Sequence, residues 1–307
     1  MSEKRFTSTR AKILHNTSLM ESLRRGRYIP QSIQLAPTNI CNLNCNMCSV
    51  KDRGPGELTL TQVKNLLVDF AWLGAKTVEL TGGGDPTMFP MINETIAGAV
   101  SLGYAVGMIT NGVALREKVT QDNLDKLAWL RISLNSLDYV REIDVPKIKG
   151  TLGFSYVWTN ISTEERLQQI ASYAQAHKAL YVRIVPNCLD ASEKETLHLA
   201  VEPFIEKFPG MFLQEKSTGV PPRCWIGYIK PFVNADGWVY RCSANPLLLR
   251  KFHPAFRMCA VENILNYWQQ PATAFSTELC ESGKCFFSEQ NALIEDITAR
   301  CEHPLFI

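Results

Sequence analysis

From residue 32 to about residue 190, short apolar runs rich in β-branched residues alternate with longer amphipathic stretches. This alternation is typical of βα units, in which a helix follows each strand and the strands form a parallel sheet. The strand candidates are SIQLA (32–36), TVELT (77–81), AVGMIT (105–110), LRISLN (130–135), TLGFSYVW (151–158) and YVRIVP (181–186). About six βα units fit before this alternation ends. The pattern predicts an α/β fold with a partial TIM-type (β/α)6 barrel of parallel strands.

Two of the amphipathic stretches begin with a helix-capping pattern. In the first, Thr59 and Gln62 are spaced as a capping box, and Gly74 marks the end of the helix. In the second, Ser162 and Glu165 have the same spacing. Both stretches are therefore predicted to be helices that cover the sheet.

After about residue 210 the alternation of strands and helices ends, and a segment rich in proline, glycine and aromatic residues follows. A hairpin turn is predicted at 234–237. The chain is thus divided into an N-terminal basic segment (1–30), a barrel (31–210) and a smaller C-terminal module (211–307).

Composition limits the possible classes of protein. The chain has 307 residues, of which 46% are hydrophobic and 20% charged, with a formal net charge of +2. It can bury a large core, and its overall charge does not indicate nucleic-acid or membrane binding. Because no signal peptide and no apolar run of membrane-spanning length is evident, we expect a cytoplasmic protein without a membrane partner. In that reducing compartment the ten cysteines are expected to bind metal or do redox work.

The unusual residues follow the predicted strands. The cysteines of CNLNCNMC come after the first strand, GGGDP after the second, TNG after the third, SLNS at the end of the fourth and PNCLD after the sixth. In parallel barrels the chemistry lies on the loops at the carboxyl ends of the strands. Any one of these loops could be an ordinary turn, but together they predict a functional site on one rim.

The three cysteines at 41, 45 and 48 are one ligand short of a closed metal site. A zinc knuckle would need a distant His or Cys as its fourth ligand. An iron-sulfur cluster could instead leave one iron open for another molecule. Both alternatives follow from the residues alone.

The spacing Cys41-x3-Cys45-x2-Cys48, with Met47 before the last cysteine, resembles the signature of the radical S-adenosylmethionine (radical SAM) enzymes. The resemblance implies a [4Fe-4S] cluster held by these three thiolates, with S-adenosylmethionine on the open iron. It also implies an electron donor such as flavodoxin or ferredoxin. One electron would cleave S-adenosylmethionine to a 5'-deoxyadenosyl radical, which removes a hydrogen atom from a substrate carbon.

The stretch TGGGDPT (81–87) resembles the glycine-rich motif of the same family, with Asp85 where many members carry Glu. The resemblance implies that the cosubstrate is bound by Gly82, Gly83, Gly84, Asp85, Asn111, Ser133 and Asn135. For Ser133 and Asn135 the alternative is a polar strand end bonded to a neighbouring loop.

The later cysteines resemble those of the SPASM and twitch extensions of radical SAM enzymes. The resemblance implies one auxiliary [4Fe-4S] cluster held by Cys224, Cys242, Cys280 and Cys285, although Cys259 or Cys301 could replace a ligand. Cys188, after the sixth strand, is a candidate catalytic hydrogen donor. A small buried residue is the alternative for Cys188.

The substrate is less constrained by the sequence. Basic and aromatic residues interleave between 223 and 257 and could contact phosphates and bases, or could simply pack and solvate the module. We favour isomerisation or dehydrogenation of a base in DNA or RNA, or of a nucleotide. The alternatives are modification of a peptide or protein side chain, a small metabolite, and a non-catalytic iron-sulfur protein.

Overall fold

The computed structural model describes residues 3–51, 53–189, 194–208, 210–214, 219–247, 254–280 and 285–302. The α-helices are α1 (Glu3–Phe6), α2 (Thr9–His15), α3 (Thr17–Arg24), α4 (Leu60–Trp72), α5 (Ile92–Ser101), α6 (Leu115–Lys118), α7 (Gln121–Lys126), α8 (Glu164–Ala176), α9 (Lys194–Lys207), α10 (Ile226–Ile229), α11 (Ala244–Leu247), α12 (Ile264–Gln269) and α13 (Ser288–Thr298). The strands are β1 (Ser32–Leu35), β2 (Thr77–Leu80), β3 (Ala105–Thr110), β4 (Trp129–Ser133), β5 (Thr151–Val157), β6 (Tyr181–Val185), β7 (Met211–Leu213), β8 (Arg223–Cys224), β9 (Phe232–Val233), β10 (Trp238–Tyr240), β11 (Arg257–Ala260) and β12 (Phe275–Ser276).

The main sheet contains ten strands in the order β11-β10-β9-β1-β2-β3-β4-β5-β6-β7. Strands β1 to β7 are parallel throughout. All six predicted strands are present, so the predicted α/β class and partial barrel of parallel strands are confirmed. The structure adds β7 at one end of the sheet. At the other end, β9 pairs with β1 in parallel, and β10 and β11 follow as antiparallel strands.

The predicted helix starts are only partly correct. Helix α4 has the expected capping box, in which Thr59 and Gln62 bond reciprocally, and Gly74 follows the helix with φ of +104°. The cap of α8, however, is Thr163, whose hydroxyl accepts from the backbone N–H of Arg166. The predicted cap, Ser162, precedes the actual cap by one residue and does not cap the helix. Its hydroxyl instead accepts a hydrogen bond from the N–H of Thr159, in the turn before the helix.

One face of the parallel sheet is apolar and carries the main core. Side chains on this face of the strands are fully buried against helices α4, α5, α8 and α9. They include Leu35, Leu80, Met108, Ile132, Phe154 and Ile184. Burying an aliphatic or aromatic side chain of this size stabilises a fold by about 1.5–3 kcal/mol relative to exposure. The opposite, inner face carries polar positions, which frees it for binding.

The N-terminal segment and the C-terminal module pack on each other. Ile13, Leu19 and Leu23 of α2 and α3 form one buried cluster with residues of α10 and α13, namely Ile226, Ile229, Leu293 and Ile294. The segment expected only to be basic therefore forms three short helices between residues 3 and 24, and α2 and α3 each have an apolar side. In the described part of the chain, no helix has the length and apolar character needed to cross a lipid bilayer.

Candidate active site at the carboxyl edge of the sheet

The loops after β1 and β2 lie against each other by direct backbone contact. The N–H of Gly84 donates to the carbonyl of Thr38 at 3.0 Å, and the N–H of Asp85 donates to the carbonyl of Ile40 at 2.9 Å. A Cβ on Gly84 would lie 2.0 Å from the carbonyl oxygen of Ile40, a distance that no side chain can adopt. Glycine at position 84 therefore allows the second loop to support the chain immediately before Cys41.

Gly82 is needed for the loop to fold back on itself. A Cβ at this position would lie 1.9 Å from the carbonyl oxygen of Gly84. The resemblance implies that these glycines contact the cosubstrate. For Gly82 and Gly84, close packing of the protein backbone is already a sufficient reason.

Asp85 joins the loop after β2 to the end of β3. Its buried carboxylate accepts from the backbone N–H and hydroxyl of Thr87, from the hydroxyl of Thr110 and from the N–H of Asn111, the last at 2.6 Å. Both oxygens are thus occupied by protein donors. In this structure Asp85 orients Asn111, and a direct contact of Asp85 with a cosubstrate stays a prediction.

Asn111 reaches from β3 to the cysteine loop. Its amide nitrogen lies 2.7 Å from Oδ1 of Asn42 and 3.7 Å from Sγ of Cys41. The loops after β1, β2 and β3 therefore form one connected unit, as the placement of the motifs predicted.

Two further residues hold the cysteine loop and were missed by the sequence analysis. The Arg53 guanidinium lies 3.6 Å from Sγ of Cys48 and donates to the carbonyl of Val50 at 3.0 Å. The hydroxyl of Tyr139, which follows β4, accepts from the N–H of Asn46 at 2.8 Å. No motif marks either residue, because their roles depend on a contact made across the fold.

The thiols of this loop are suited to a cluster. All ten cysteines lie in the described part of the chain, and none forms a disulfide. Burial raises the pKa of the Cys41 thiol, and burial together with the adjacent thiols raises the pKa of Cys45 to about 11. Bound iron would offset this cost, since a metal holds a cysteine as the thiolate.

The donor set fits a [4Fe-4S] cluster better than a single ion. Soft thiolates favour iron-sulfur clusters, and the ligands of a cubane bind different irons, so they lie farther apart than the ligands of one ion. Among the described residues, no group of three His, Cys, Asp or Glu side chains is arranged to hold one metal ion.

The other predicted site residues are placed as follows. Ser133 ends β4 half-buried on the inner face. Asn135 bonds the backbone of Val157 in both directions, at 2.6 and 2.9 Å, which is the alternative that the sequence left open. Cys188 lies half-buried in the turn after β6. Cosubstrate contacts of Ser133 and Asn135, and a catalytic role of Cys188, stay predictions.

The four predicted auxiliary ligands come from segments that the C-terminal module brings together. Strand β8, which ends at Cys224, pairs with β12 through Phe275, and Cys280 follows β12. Cys224 and Cys242 both pack against the buried cluster that contains Ile226 and Ile229.

Helix α13, which follows Cys285, is joined to the Cys224 segment. The buried Oδ1 of Asn291 accepts from the N–H groups of Trp225 and Ile226 at 2.7 and 2.9 Å. Burial, with Cys285 as the nearest charge, raises the pKa of Cys224 to about 12. The four segments therefore converge, and an auxiliary cluster stays a prediction.

The interleaved basic and aromatic residues mostly serve packing. Arg223 pairs with Glu295 at 2.8 Å, and the Arg257 guanidinium lies over the ring of Trp238 at 4.5 Å. The aromatic residues Phe232, Tyr240 and Phe256 are fully buried. Arg250 and Lys251, two basic residues of the same interleaved stretch that could contact phosphates, lie outside the described residues.

Comparisons with known proteins agree with this geometry. Residues 35–176 match the family described as the Radical SAM superfamily. A GTP 3',8-cyclase of Tolumonas auensis is 34% identical over 113 residues, which is 34% of this chain and 33% of that protein. An S-adenosylmethionine-dependent nucleotide dehydratase of Flammeovirga pacifica is 28% identical over 126 residues, 39% of this chain and 43% of that protein. The matched stretch thus spans a third to under half of these relatives.

Solved structures share the fold over a longer stretch. SuiB of Streptococcus suis bound to S-adenosylmethionine superposes with a TM-score of 0.62 at 14% identity, covering 86% of this chain and 72% of SuiB. The structure of anSMEcpe with bound AdoMet and the Cp18Cys peptide gives a TM-score of 0.52 at 13% identity, covering 91% and 86%. The cysteine loop and the glycine-rich loop both fall within residues 35–176, the stretch that matches the Radical SAM superfamily.

Proposed function

We propose that the chain is a radical SAM enzyme. It cleaves S-adenosylmethionine reductively and removes a hydrogen atom from a nucleotide or a nucleic-acid base, which leads to isomerisation or dehydrogenation. The observation that carries the proposal is the contact of the three loops: Gly84 lies against Ile40, and Asn111 lies against Cys41.

Each part of the site has a distinct task in this proposal. Cys41, Cys45 and Cys48 hold the [4Fe-4S] cluster, which together with S-adenosylmethionine supplies the radical chemistry when bound. Arg53 donates toward the Cys48 sulfur, and such a contact stabilises negative charge on a thiolate. Gly83 and Gly84 present their backbone to the cosubstrate, and Ser133 offers a hydroxyl on the inner face.

The relatives support a nucleotide substrate. One is a GTP 3',8-cyclase and another a nucleotide dehydratase, so nucleotides recur among proteins that share this stretch. A peptide substrate is the second candidate, because SuiB, whose fold this chain shares, has also been solved with a precursor peptide.

The proposal includes one auxiliary [4Fe-4S] cluster and a cytoplasmic reductant. The auxiliary ligands are Cys224, Cys242, Cys280 and Cys285, since their segments converge in the small module. A flavodoxin or ferredoxin supplies the electron. A reducing cytoplasm is the compartment in which such clusters persist.

The first test is cosubstrate cleavage. Anaerobically reconstituted protein, reduced with dithionite, should convert S-adenosylmethionine to 5'-deoxyadenosine and contain close to two clusters per chain. Replacing Cys41, Cys45 and Cys48 by Ala should abolish 5'-deoxyadenosine and leave the auxiliary iron. Cys301→Ala, at an exposed cysteine, is the control and should cleave normally. A triple variant that still cleaves the cosubstrate would refute the assignment.

The second test identifies the substrate class. Mass spectrometry would follow GTP, a DNA oligonucleotide, an RNA oligonucleotide and a cysteine-containing peptide under turnover conditions. An unchanged mass with altered retention indicates isomerisation, and a loss of two hydrogens indicates dehydrogenation. Reaction of the peptide alone would favour the second candidate.

A further inference from the structure

The inner face of β4 carries an arginine whose Nε has no hydrogen-bond partner. Leu130 and Ile132 point to the apolar core, so alternation places Trp129, Arg131 and Ser133 on the inner face. Arg131 is only 8% exposed. Its Nε is buried and has no hydrogen-bond partner. Burying a charge without such partners is costly, which indicates that something outside the chain completes this site.

Glu79, the acid whose pKa Arg131 helps to lower, already has other partners. Glu79, on β2, accepts from Nε2 of Gln34 at 2.9 Å and lies 3.7 Å from Nζ of Lys230. Burial by itself would raise the pKa of Glu79, but Lys230, Arg131 and Gln34 lower it to about 2, so the carboxylate is charged. Two cations therefore face one anion, with Lys12 as a third cation nearby. This part of the inner face has an excess of positive charge.

Aromatic rings fill the space toward the amino ends of the strands. A Cβ on Gly107 would lie 2.1 Å from the indole of Trp129, and a Cβ on Gly153 would lie 2.2 Å from the ring of Tyr181. Phe6 stacks on Tyr181 with 4.8 Å between ring centres. The glycines thus make room for rings that close this end.

Arg131 lies between these rings and the candidate active site. On β4 it stands two residues after Trp129 and two residues before Ser133, which ends the strand at the edge where the cysteine loop lies. Its neighbour in register on β5 is Gly153, and the next inner position of β5 is the buried Ser155. A molecule that enters from the carboxyl edge would meet Arg131 before the aromatic rings.

We propose that Arg131 binds a phosphate group of the substrate, placing the rest of that molecule toward the carboxyl edge. This inference deepens the proposed function by naming the group that anchors the nucleotide. A guanidinium offers a planar pair of donors that matches a phosphate, and the excess of positive charge requires an anion. The ring of Trp129, 5.5 Å from the Arg131 guanidinium, holds the arginine in place without using its N–H groups.

The test compares ligands with and without phosphate on the reconstituted protein. Isothermal titration with GTP, guanosine and inorganic pyrophosphate would be done on the wild type, Arg131→Gln and Arg131→Lys. We expect GTP to bind the wild type at least tenfold tighter than guanosine. Arg131→Gln should bind GTP about 10- to 100-fold more weakly, because charge-assisted hydrogen bonds are lost. Arg131→Lys keeps the charge and should bind GTP with intermediate affinity. It replaces Arg131→Gln in the comparison if the Gln variant does not fold.

Two controls separate this inference from the proposed function. Arg300→Gln removes an exposed arginine that pairs with Glu302, and it should leave GTP affinity unchanged. Cleavage of S-adenosylmethionine without substrate is measured in the wild type and in Arg300→Gln, which should cleave equally, and it tests the proposed function separately from GTP affinity. Equal affinity of the wild type and Arg131→Gln for GTP and pyrophosphate would overturn the inference. Loss of substrate-free cleavage together with GTP binding in Arg131→Gln would also overturn it, since Arg131 would then support the whole site.

Discussion

Replacing Gly84 by Ala should separate the two loops that build the cosubstrate site. The added Cβ would start 2.0 Å from the carbonyl oxygen of Ile40 and 2.6 Å from the carbonyl carbon of Asn39, both backbone atoms. Since such contacts are not tolerated below about 3 Å, the loops must move apart by at least about 1 Å. That shift breaks the bonds from the N–H groups of Gly84 and Asp85, which are 3.0 and 2.9 Å long.

The expected cost follows from these contacts. Two hydrogen bonds contribute about 1 kcal/mol each, and overpacking of a tight contact costs about 1–3 kcal/mol. We expect Gly84→Ala to lower the free energy of unfolding by about 3–5 kcal/mol. The midpoint of thermal unfolding should fall by several degrees. Formation of 5'-deoxyadenosine should fall by more than tenfold, because the backbone before Cys41 is displaced.

Circular dichroism on heating and chromatography of 5'-deoxyadenosine measure the two effects. Gly98→Ala is the matched control: a Cβ on Gly98, within α5, would meet nothing within 4 Å. Alanine favours a helix over glycine by about 1 kcal/mol, so this variant should be as stable as the wild type or more stable. If Gly84→Ala unfolded at the wild-type temperature and cleaved S-adenosylmethionine normally, the reasoning from loop contact would be refuted.

Three further predictions concern single side chains. Asp85→Asn should lower the free energy of unfolding by about 1–3 kcal/mol and weaken S-adenosylmethionine binding, because the new amide NH2 would face protein donors. A variant as stable as the wild type in urea unfolding would contradict this. The pKa of Glu79 is lowered from 4.5 to about 2, so its contribution to stability is complete above pH 4.5 and is lost as the pH falls through 2. The excess stability of the wild type over Glu79→Gln, about 3 kcal/mol at neutral pH, should therefore shrink between about pH 5 and pH 2 in acid titrations. Cys224→Ser should halve the iron content, whereas Cys259→Ser, at a buried thiol of β11, should leave it unchanged. Equal iron contents in the two variants would exclude the proposed auxiliary ligand set.

The order of the elements could be predicted because periodicity is a local property. Each βα unit buries one face of its helix and its strand, so SIQLA, TVELT and the four later runs were recognisable without any tertiary contact. The cap of α8 was misplaced by one residue because Ser162 and Thr163 are both good caps. The choice between them depends on Ser162 bonding to Thr159, which only the folded turn after β5 reveals.

The site was predictable where its chemistry lies in a motif. The cysteine spacing and the glycine run indicated which loops meet. The contacts that hold them, from Arg53, Tyr139 and the carboxylate of Asp85, join residues distant in sequence and follow no pattern. Arg131 lies in an ordinary-looking strand, and no pattern in the sequence marks its buried Nε, which has no hydrogen-bond partner. Conversely, the aromatic residues of the C-terminal module suggested a surface for bases, whereas Phe232, Tyr240 and Phe256 are core residues.

By pairing with β1, strand β9 of the C-terminal module covers the edge of the strand that leads to the cysteine loop. The N–H groups of Gln31, Gln34 and Ala36 donate to carbonyls of residues 229, 231 and 233. A truncated chain ending near residue 210 would leave these groups at an open sheet edge, and exposed edges promote aggregation. Amides of β1 should accordingly resist hydrogen exchange as long as the module is folded. Loss of the module's packing would loosen the cysteine loop even if all three of its thiols were intact.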